Sequence, residues 1–420
     1  MSDSRDDHKH KVLMLGWEFP PAMAGGLGTA SAEIAKVISQ KVDLQLFTPA
    51  WEGLPDLDYI HGVGEGYAQL YPEAYPYETD AEIFWPKENL KKHLVADPVE
   101  QTSEKTTEES PEPEAPAVSL PPLVFQQAAS YAGAVIEEAA DAAFDIIHVH
   151  DWLTALPGLA LQKATGKPLI LHVHALEYDR SGPEARGWVY TLEREALERA
   201  DLVIPVSTYM ATILVEHYGI DPQKIQAVPH GGPAIEPYRK ESRFGGKVIS
   251  FVGRLSPQKN PYQVLNLAEV LLAEFPELTF VLAGDGREAE ALLEETVRRG
   301  LEMQVLFTGF LAKEALYDLL AMSDVFVMPS WSEPFGLAAV EAAAFGVPCL
   351  LSERCGAVEI LRSALIARPD DTTRQAELVG DLLANPDKQA WLGKLMQEEA
   401  ASFSWEDAGE AILALYDRMH

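Results

Sequence analysis

Residues 11–48 read KVLMLGWEFPPAMAGGLGTASAEIAKVISQKVDLQLFT and hold the pattern from which the architecture follows. The apolar run at residues 11–16 ends in a glycine and is followed by two prolines, which predicts a buried strand and then a loop. Residues 29–40 carry apolar side chains at helical spacing, and residues 42–48 predict another strand. A strand, a glycine loop, a helix and a second strand form a βαβ unit, the element of a parallel sheet covered by helices.

The same alternation of strands and helices continues along the chain. In the first half the pattern predicts strands at residues 145–149, 168–173 and 202–206, with helices at 152–165 and 187–199. In the second half it predicts strands at residues 247–252, 279–283, 304–308 and 325–329, with helices at 261–274, 288–299, 313–322 and 337–345. Ligands bind beyond the carboxyl ends of such strands, so two similar doubly wound halves predict a cleft between them.

Composition places the domain limits. A glycine and proline cluster at residues 229–233 separates the two alternating halves, so we expect one domain over residues 1–240 and a second over residues 241–404. Residues 97–122 combine acids, threonines and prolines and predict a disordered insertion within the first domain. Residues 405–420 have helical apolar spacing and are expected to cross back onto the first domain.

Charge and cysteine content exclude several classes of function. The 420 residues include 33 Lys and Arg against 65 Asp and Glu, a net charge of −32, which disfavours nucleic acids and anionic membranes as partners. Cys349 and Cys355 are too few for a disulfide framework and lack the spacing of a zinc site. Neither a signal-like segment nor a long apolar run occurs, so a soluble cytoplasmic protein is expected.

Two cations follow the first strand of the second domain. Arg254 comes directly after Gly253 at the predicted strand end, and Lys259 lies five residues further on. A planar guanidinium and an ammonium at one loop suit the oxygens of a diphosphate, particularly in so acidic a chain. The alternative is a pair of solvated surface cations.

A pair of glutamates flanks the start of a predicted helix. Glu333 lies in the loop before that helix and Glu341 one turn inside it, while Pro334 and Gly336 fit a helix start. The first backbone N–H groups would form an anion site strengthened by the helix dipole. Glu341 is flanked by apolar residues and therefore needs a partner, either sugar hydroxyls or an arginine.

Taken in order, these motifs resemble those of the retaining nucleotide-sugar glycosyltransferases of GT-B fold, which include glycogen and starch synthases. The match covers essentially the whole chain outside residues 97–122. It is clearest in five segments, namely Gly253-Arg254, Lys259, Gly284-Asp285-Gly286, Gly309-Phe310 and residues 333–341. The resemblance implies an α/β protein of two Rossmann-like, doubly wound domains facing a central cleft, with no metal or other cofactor.

The resemblance also implies roles for residues of the second domain. Arg254 and Lys259 would hold the donor diphosphate, and Glu341 the ribose hydroxyls. Glu333 would contact hydroxyls of the transferred sugar. The remaining expected donor contacts are Gly253 at the strand end, Gly309 and Phe310 at the base, and the backbone N–H groups of Gly336 and Leu337.

In the first domain the resemblance implies three further features. Gly25, Gly26 and Gly28 look like the family's glycine loop, where backbone approaches the distal phosphate without a side chain in the way. His174 stands where the family has a histidine near the reacting centre, and its expected role is catalytic support. Asp151 would reach hydroxyls of the donor sugar or the acceptor.

Two histidines suggest the hypothesis of a metal site. His148 and His150 are two residues apart in a predicted strand, so both side chains would lie on the same face of that strand. A metal pair there is conceivable. The sequence offers no third ligand at suitable spacing, however, and the family does not need one, so no metal is expected.

The expected reaction is the transfer of a hexose, most plausibly glucose, from a nucleoside diphosphate sugar to a glucan or sugar hydroxyl, as in glycogen synthases. ADP-glucose, UDP-glucose and GDP-mannose all remain candidate donors. Relatives that use ADP-glucose usually carry a lysine before the glycine loop, whereas this chain has Met23 and Ala24 there. The alternatives are a hexosyltransferase with a small soluble acceptor, a nucleotide-sugar epimerase and a nucleotide-sugar sensor of the same fold.

Overall fold

The computed structural model describes residues 9–19, 25–49, 58–63 and 123–419, and the predicted insertion at residues 97–122 lies outside them. The strands are β1 Lys11–Leu15, β2 Asp43–Thr48, β3 Ile60–Gly62, β4 Ile146–His150, β5 Leu169–Val173, β6 Leu202–Pro205, β7 Val248–Val252, β8 Thr279–Ala283, β9 Val305–Gly309, β10 Val325–Met328, β11 Cys349–Ser352 and β12 Leu365–Ala367. The α-helices are α1 Gly26–Ile38, α2 Leu123–Glu138, α3 Asp151–Thr165, α4 Glu177–Ser181, α5 Trp188–Arg199, α6 Thr208–Glu216, α7 Tyr262–Leu272, α8 Ala289–Arg298, α9 Lys313–Met322, α10 Leu337–Ala344, α11 Thr372–Ala384, α12 Pro386–Ala400 and α13 Trp405–Tyr416.

The strands form two parallel six-stranded sheets with the same winding. The first has the order β3-β2-β1-β4-β5-β6, and the second has the order β12-β11-β10-β7-β8-β9. In each sheet the chain begins at an inner strand and adds strands outward to one edge. It then returns to the middle of the sheet and adds strands outward to the other edge. This is the Rossmann order, and the predicted α/β class with two doubly wound halves is confirmed.

Burial on both faces explains why these segments are strands. In β1, Val12 and Met14 join the core beneath α1, whereas Leu13 and Leu15 join the core on the opposite face of the sheet. The strands β4, β5 and β6 are buried throughout. Continuous apolar runs are the pattern expected where helices cover both sides of a parallel sheet.

The predicted strands and helices are present with ends shifted by a few residues at most. The strands β3, β11 and β12 and the helices α2, α4, α6, α11 and α12 were not predicted. The strands β3 and β12 have only three residues each, too short for a periodic signal.

The last helix, α13, packs on the first sheet. Ile412 and Tyr416 lie in one core with Ile34 of α1 and Met14 of β1. A Cβ on Gly409 would lie 2.3 Å from Cγ1 of Val37, so the two helices are in close contact there. The chain thus ends against the sheet in which it began.

None of the helices in the described part of the chain has both the length and the apolar content needed to cross a bilayer.

Candidate active site

The cleft lies where the winding of each sheet reverses. In the first sheet this point is between β1 and β4, and in the second it is between β7 and β10. The predicted residues follow the carboxyl ends of these strands and their neighbours. The two halves touch here, since Ser207 Oγ donates a 2.6 Å hydrogen bond to the carbonyl of Pro334, and a Cβ on Gly26 would lie 3.9 Å from Cδ1 of Leu337. The fold therefore brings the glycine loop to the start of α10.

Lys259 and Glu333 form the central ion pair of this cleft. Lys259 Nζ donates to Glu333 Oε2 at 2.5 Å, and the two side chains are 21% and 7% exposed. The turn carrying Lys259 is held by the next residue, Asn260, which adopts φ 54° and donates from Nδ2 to the carbonyls of Pro329 and Pro369. Lys259 is thereby fixed as a cation paired with the carboxylate predicted to meet the transferred sugar.

Gly336 sets the approach of Glu333 to the start of α10. Its backbone is left-handed, with φ 103° and ψ 54°. A Cβ there would lie 3.1 Å from Cys355 Sγ and 3.3 Å from both Glu333 Cγ and Met328 Sδ. Only glycine allows this packing without a shift of its neighbours. The Glu333 side chain therefore packs directly against the start of α10, which carries the unsatisfied N–H groups of a helix end.

Glu341 is half-buried one turn into α10. Burial raises the pKa of its carboxyl group to about 7, while the charge of Lys313 lowers it. A carboxyl group that titrates near neutrality can change its hydrogen-bonding capacity within the physiological range.

Glu18 is a site residue that the sequence analysis missed. It is 5% exposed, and a Cβ on Gly25 would lie 2.9 Å from its Oε2. Burial raises the pKa of Glu18, whereas the charge of Arg254 and a hydrogen bond from the backbone N–H of Gly28 lower it. One carboxylate thus joins the glycine loop of the first domain to a predicted diphosphate ligand of the second. The available signal was an acid inside the apolar segment that follows β1.

Asp151 and His174 are neighbours at the ends of β4 and β5. Asp151 has φ 56°, and its Oδ1 accepts hydrogen bonds from the backbone N–H groups of His174 at 2.7 Å and Ala175 at 3.4 Å. Burial raises the pKa of Asp151 to about 7. One oxygen of the carboxyl group that was expected to meet sugar hydroxyls therefore holds the loop that carries His174.

The His174 ring lies between two other histidines. Its Nε2 is 2.8 Å from Nδ1 of His150, and its Nδ1 is 3.1 Å from Nε2 of His230. The His230 ring in turn meets the Phe335 ring edge-on, with centroids 4.9 Å apart. His174 therefore reaches the Glu333 loop through His230 and Phe335.

Gly253, Gly284 and Gly309 lie together at the ends of β7, β8 and β9. The Gly284 N–H donates to the Gly309 carbonyl at 2.9 Å, and a Cβ on Gly284 would lie 1.9 Å from the carbonyl oxygen of Gly253. Phe310, next to Gly309, is 63% exposed. The exposed ring is free of core packing and available to a planar ligand such as a nucleotide base.

Two facing Rossmann-like sheets, with glycines and cations at the strand ends that meet, form the GT-B fold. The family described as Glycosyltransferase Family 4 matches residues 85–232, and the family described as Glycosyl transferases group 1 matches residues 235–398. The chain belongs to the glycosyltransferases that join these two domains. It is a hexosyltransferase that uses a nucleotide-sugar donor.

Similar proteins are known both by sequence and by structure. D-inositol 3-phosphate glycosyltransferase of Streptomyces scabiei is 31% identical over 303 residues, which is 65% of this chain and 68% of that protein. Glycogen synthase of Mycobacterium tuberculosis is 28% identical over 286 residues, again 65% and 68%. Sucrose-phosphate synthase of Thermosynechococcus elongatus superposes with a TM-score of 0.74 at 18% identity, covering 98% of this chain and 99% of that one.

Proposed function

We propose that the protein transfers a hexosyl unit, glucose in the first instance, from a nucleoside diphosphate sugar to a hydroxyl of a glucan or sugar, with retention at the anomeric carbon. The observation that carries the proposal is the Lys259–Glu333 pair, which lies at the start of α10 and opposite the glycine loop. It offers a cation for the departing diphosphate next to a carboxylate for hydroxyls of the sugar.

Charge on the leaving group dominates this reaction. As the bond from the anomeric carbon to the diphosphate breaks, negative charge grows on the diphosphate oxygens. Lys259, Arg254 and the N-terminal N–H groups of α10 are the groups that would stabilise it, with no metal ion required. Gly25, Gly26 and Gly28 let backbone come close to the distal phosphate.

Retention follows from attack on the same face as the leaving group. The acceptor oxygen bonds to the anomeric carbon, the carbon–oxygen bond to the diphosphate breaks, and the acceptor's proton passes to a diphosphate oxygen. No covalent enzyme intermediate is needed. In this scheme Asp151 and His174 are positioning residues, because the carboxylate holds the backbone of the loop that carries the imidazole.

Glu341 should make donor binding depend on pH. Its pKa of about 7 means that the carboxyl group ionises between pH 6 and pH 8. The ionised carboxylate accepts hydrogen bonds from two ribose hydroxyls on both oxygens, whereas protonation turns one of these oxygens into a donor. We expect the KM for the donor to rise about tenfold as the pH falls from 8 to 6, because the ionised fraction falls by that factor. Steady-state kinetics across this range measure the effect.

The control for this prediction is a neighbouring glutamate. Glu341→Gln should raise KM and remove its pH dependence, whereas Glu314→Gln, at an exposed position on α9, should keep the wild-type profile. An unchanged pH profile in Glu341→Gln would assign the ionisation to another group.

Measurement of nucleotide release tests the reaction itself. Purified protein is incubated with ADP-glucose, UDP-glucose and GDP-mannose, each with and without a glucan primer. Release from a glucose donor that depends on primer, with an α-linked product by NMR, supports the proposal. Release without primer would indicate hydrolysis or epimerase chemistry, and no release from any donor would favour a nucleotide-sugar sensor.

A small soluble acceptor is the second candidate. It is favoured by the relatives named D-inositol 3-phosphate glycosyltransferase, which are up to 31% identical to this chain. Nucleotide release that is stimulated by a phosphorylated cyclitol but not by glucan would favour this acceptor class.

We further infer a cytoplasmic location, supported by two buried cysteines that form no disulfide.

A further inference from the structure

Five buried histidines form a stack in the first domain. His148 and His150 lie on β4 and His172 on β5, while His174 follows β5 and His230 lies in the segment between the two sheets. Neighbouring rings are stacked with centroids 4.4–5.5 Å apart, and the five residues are at most 7% exposed. The stack runs from beneath α13 to the cleft.

Hydrogen bonds account for only some of the ring nitrogens. His148 Nδ1 bonds to the hydroxyl of Tyr416 at 2.6 Å, and His150 Nδ1 bonds to His174 Nε2 at 2.8 Å. Among the described residues, Nε2 of His148, Nε2 of His150, both ring nitrogens of His172 and Nδ1 of His230 have no partner. Five unpaired polar atoms in one buried stack point to a missing ligand, because buried polar groups are almost always satisfied.

Four of the five unpaired nitrogens belong to one set of three rings. His148, His150 and His172 can each present one nitrogen, and these three atoms lie within 4.8 Å of one another. A second set, made of His172, His174 and His230, is equally close, but both nitrogens of His174 already have partners. The first set is therefore the one that is ready to bind.

In two of these three rings the opposite nitrogen is held as in metal centres. A histidine that binds a metal usually has its other ring nitrogen held by a further hydrogen bond, which fixes the tautomer and the ring orientation. His148 is held in this way by Tyr416 and His150 by His174. Three imidazoles with no carboxylate suit zinc and its neighbours in the first transition row, and exclude magnesium and calcium, which prefer oxygen.

We propose that His148, His150 and His172 bind one divalent transition-metal ion, with zinc as the ion of best fit. The site is structural. It ties β4 to β5 and, through the Tyr416 hydroxyl, ties α13 to the first sheet. Zinc holds its nitrogen ligands at about 2.0–2.1 Å in tetrahedral geometry, so the nearly parallel rings must turn and draw together around the ion, and a water fills the fourth position. The sequence predicted no metal, whereas this proposal adds an ion that stabilises the fold. The proposed transfer reaction still proceeds without a metal.

Metal binding to the full-length protein tests this proposal. The protein is treated with a chelator, dialysed at pH 7.5 and titrated with zinc chloride by calorimetry, with cobalt chloride added in parallel as a spectroscopic probe. We expect one equivalent of zinc, a rise in Tm on zinc addition, and visible absorption of tetrahedral cobalt. Absence of binding, or binding that leaves Tm unchanged, overturns the proposal.

Variants separate this site from surface histidines. His172→Gln should abolish the stoichiometric binding and the cobalt absorption, whereas His61→Gln, at an exposed position on β3 of the same sheet, should leave both intact. Tyr416→Phe keeps all the rings but removes the partner of His148, so zinc affinity should fall about 10–100-fold. Unchanged binding in a folded His172→Gln protein, or unchanged affinity in Tyr416→Phe, contradicts the assignment.

Discussion

Lys259→Ala should lower the turnover number about 10²–10³-fold, which corresponds to about 2.7–4 kcal/mol of activation free energy for the loss of one charge-stabilising donor in an active site. The ammonium group is paired with Glu333 at 2.5 Å in the cleft and is expected to stabilise the departing diphosphate. Its removal takes away that stabilisation and leaves a largely buried carboxylate without its cation. Steady-state kinetics with the donor identified by nucleotide release measure the effect.

The matched control is Lys240→Ala. Lys240 also forms a lysine–carboxylate pair at 2.5 Å, with Asp318, but both side chains are more than a third exposed. The substitution removes the same atoms and a bond of the same length, and it should leave turnover unchanged. Equal turnover in Lys259→Ala and the wild type would remove Lys259 from the mechanism. Equal losses in both variants would indicate a general effect of charge.

Gly284→Ala should destabilise the second domain by about 3 kcal/mol or more, because it combines backbone strain with a steric clash. The residue has φ 142°, and an added Cβ would lie 1.9 Å from the carbonyl oxygen of Gly253. The clash is with backbone rather than with a flexible side chain, so β7 and β8 must separate at their carboxyl ends. Since Arg254 follows Gly253 directly, donor affinity should fall as well.

Thermal unfolding and donor titration measure these two effects. A loss of 3 kcal/mol corresponds to a fall in Tm of roughly 6–12 °C for a domain of this size. Gly300→Ala is the control, since Gly300 also has a positive φ, 69°, but an added Cβ meets no atom within 4 Å. The Gly300→Ala protein should lose only the stability that backbone strain costs, and it should still bind the donor. Equal Tm values for the two variants would rule out the clash as the cause.

The fold was predictable from the sequence because its signals are local. Each buried strand of a parallel sheet is a short apolar run, such as residues 11–15, and each helix between strands has its own apolar periodicity. The confirmed α/β class follows from counting these alternations. The short strands β11 and β12 were not predicted, and their pairing in the second sheet defines them, β11 with β10 and β12 with β11.

Only those residues of the candidate site that belong to a sequence motif could be predicted. Lys259, Glu333 and Gly336 could each be found from their motifs, although the pairing of Lys259 with Glu333 could not, and their roles remain predictions. Glu18 could not, because its importance rests on its position beside Gly25 and on the effect of the Arg254 charge on its pKa, and these two residues lie far apart in the sequence. Only part of the histidine stack was predictable. The alternation of His148 and His150 placed them on one face of a strand, whereas His172 joins them through the pairing of β4 with β5.

Local patterns in the sequence predicted the two doubly wound sheets. They also predicted which glycines and charged residues follow the strands, and the class of ligand that these residues suit. All of these depend on residues close together in the chain, whose periodicity and chemistry act locally. The tertiary structure shows which side chains meet: Lys259 with Glu333, Glu18 with Gly25 and Gly28, and three imidazoles with unpaired nitrogens under α13. These contacts depend on strand order and on the return of the last helix, because only folding brings distant segments within bonding distance and removes water from between them.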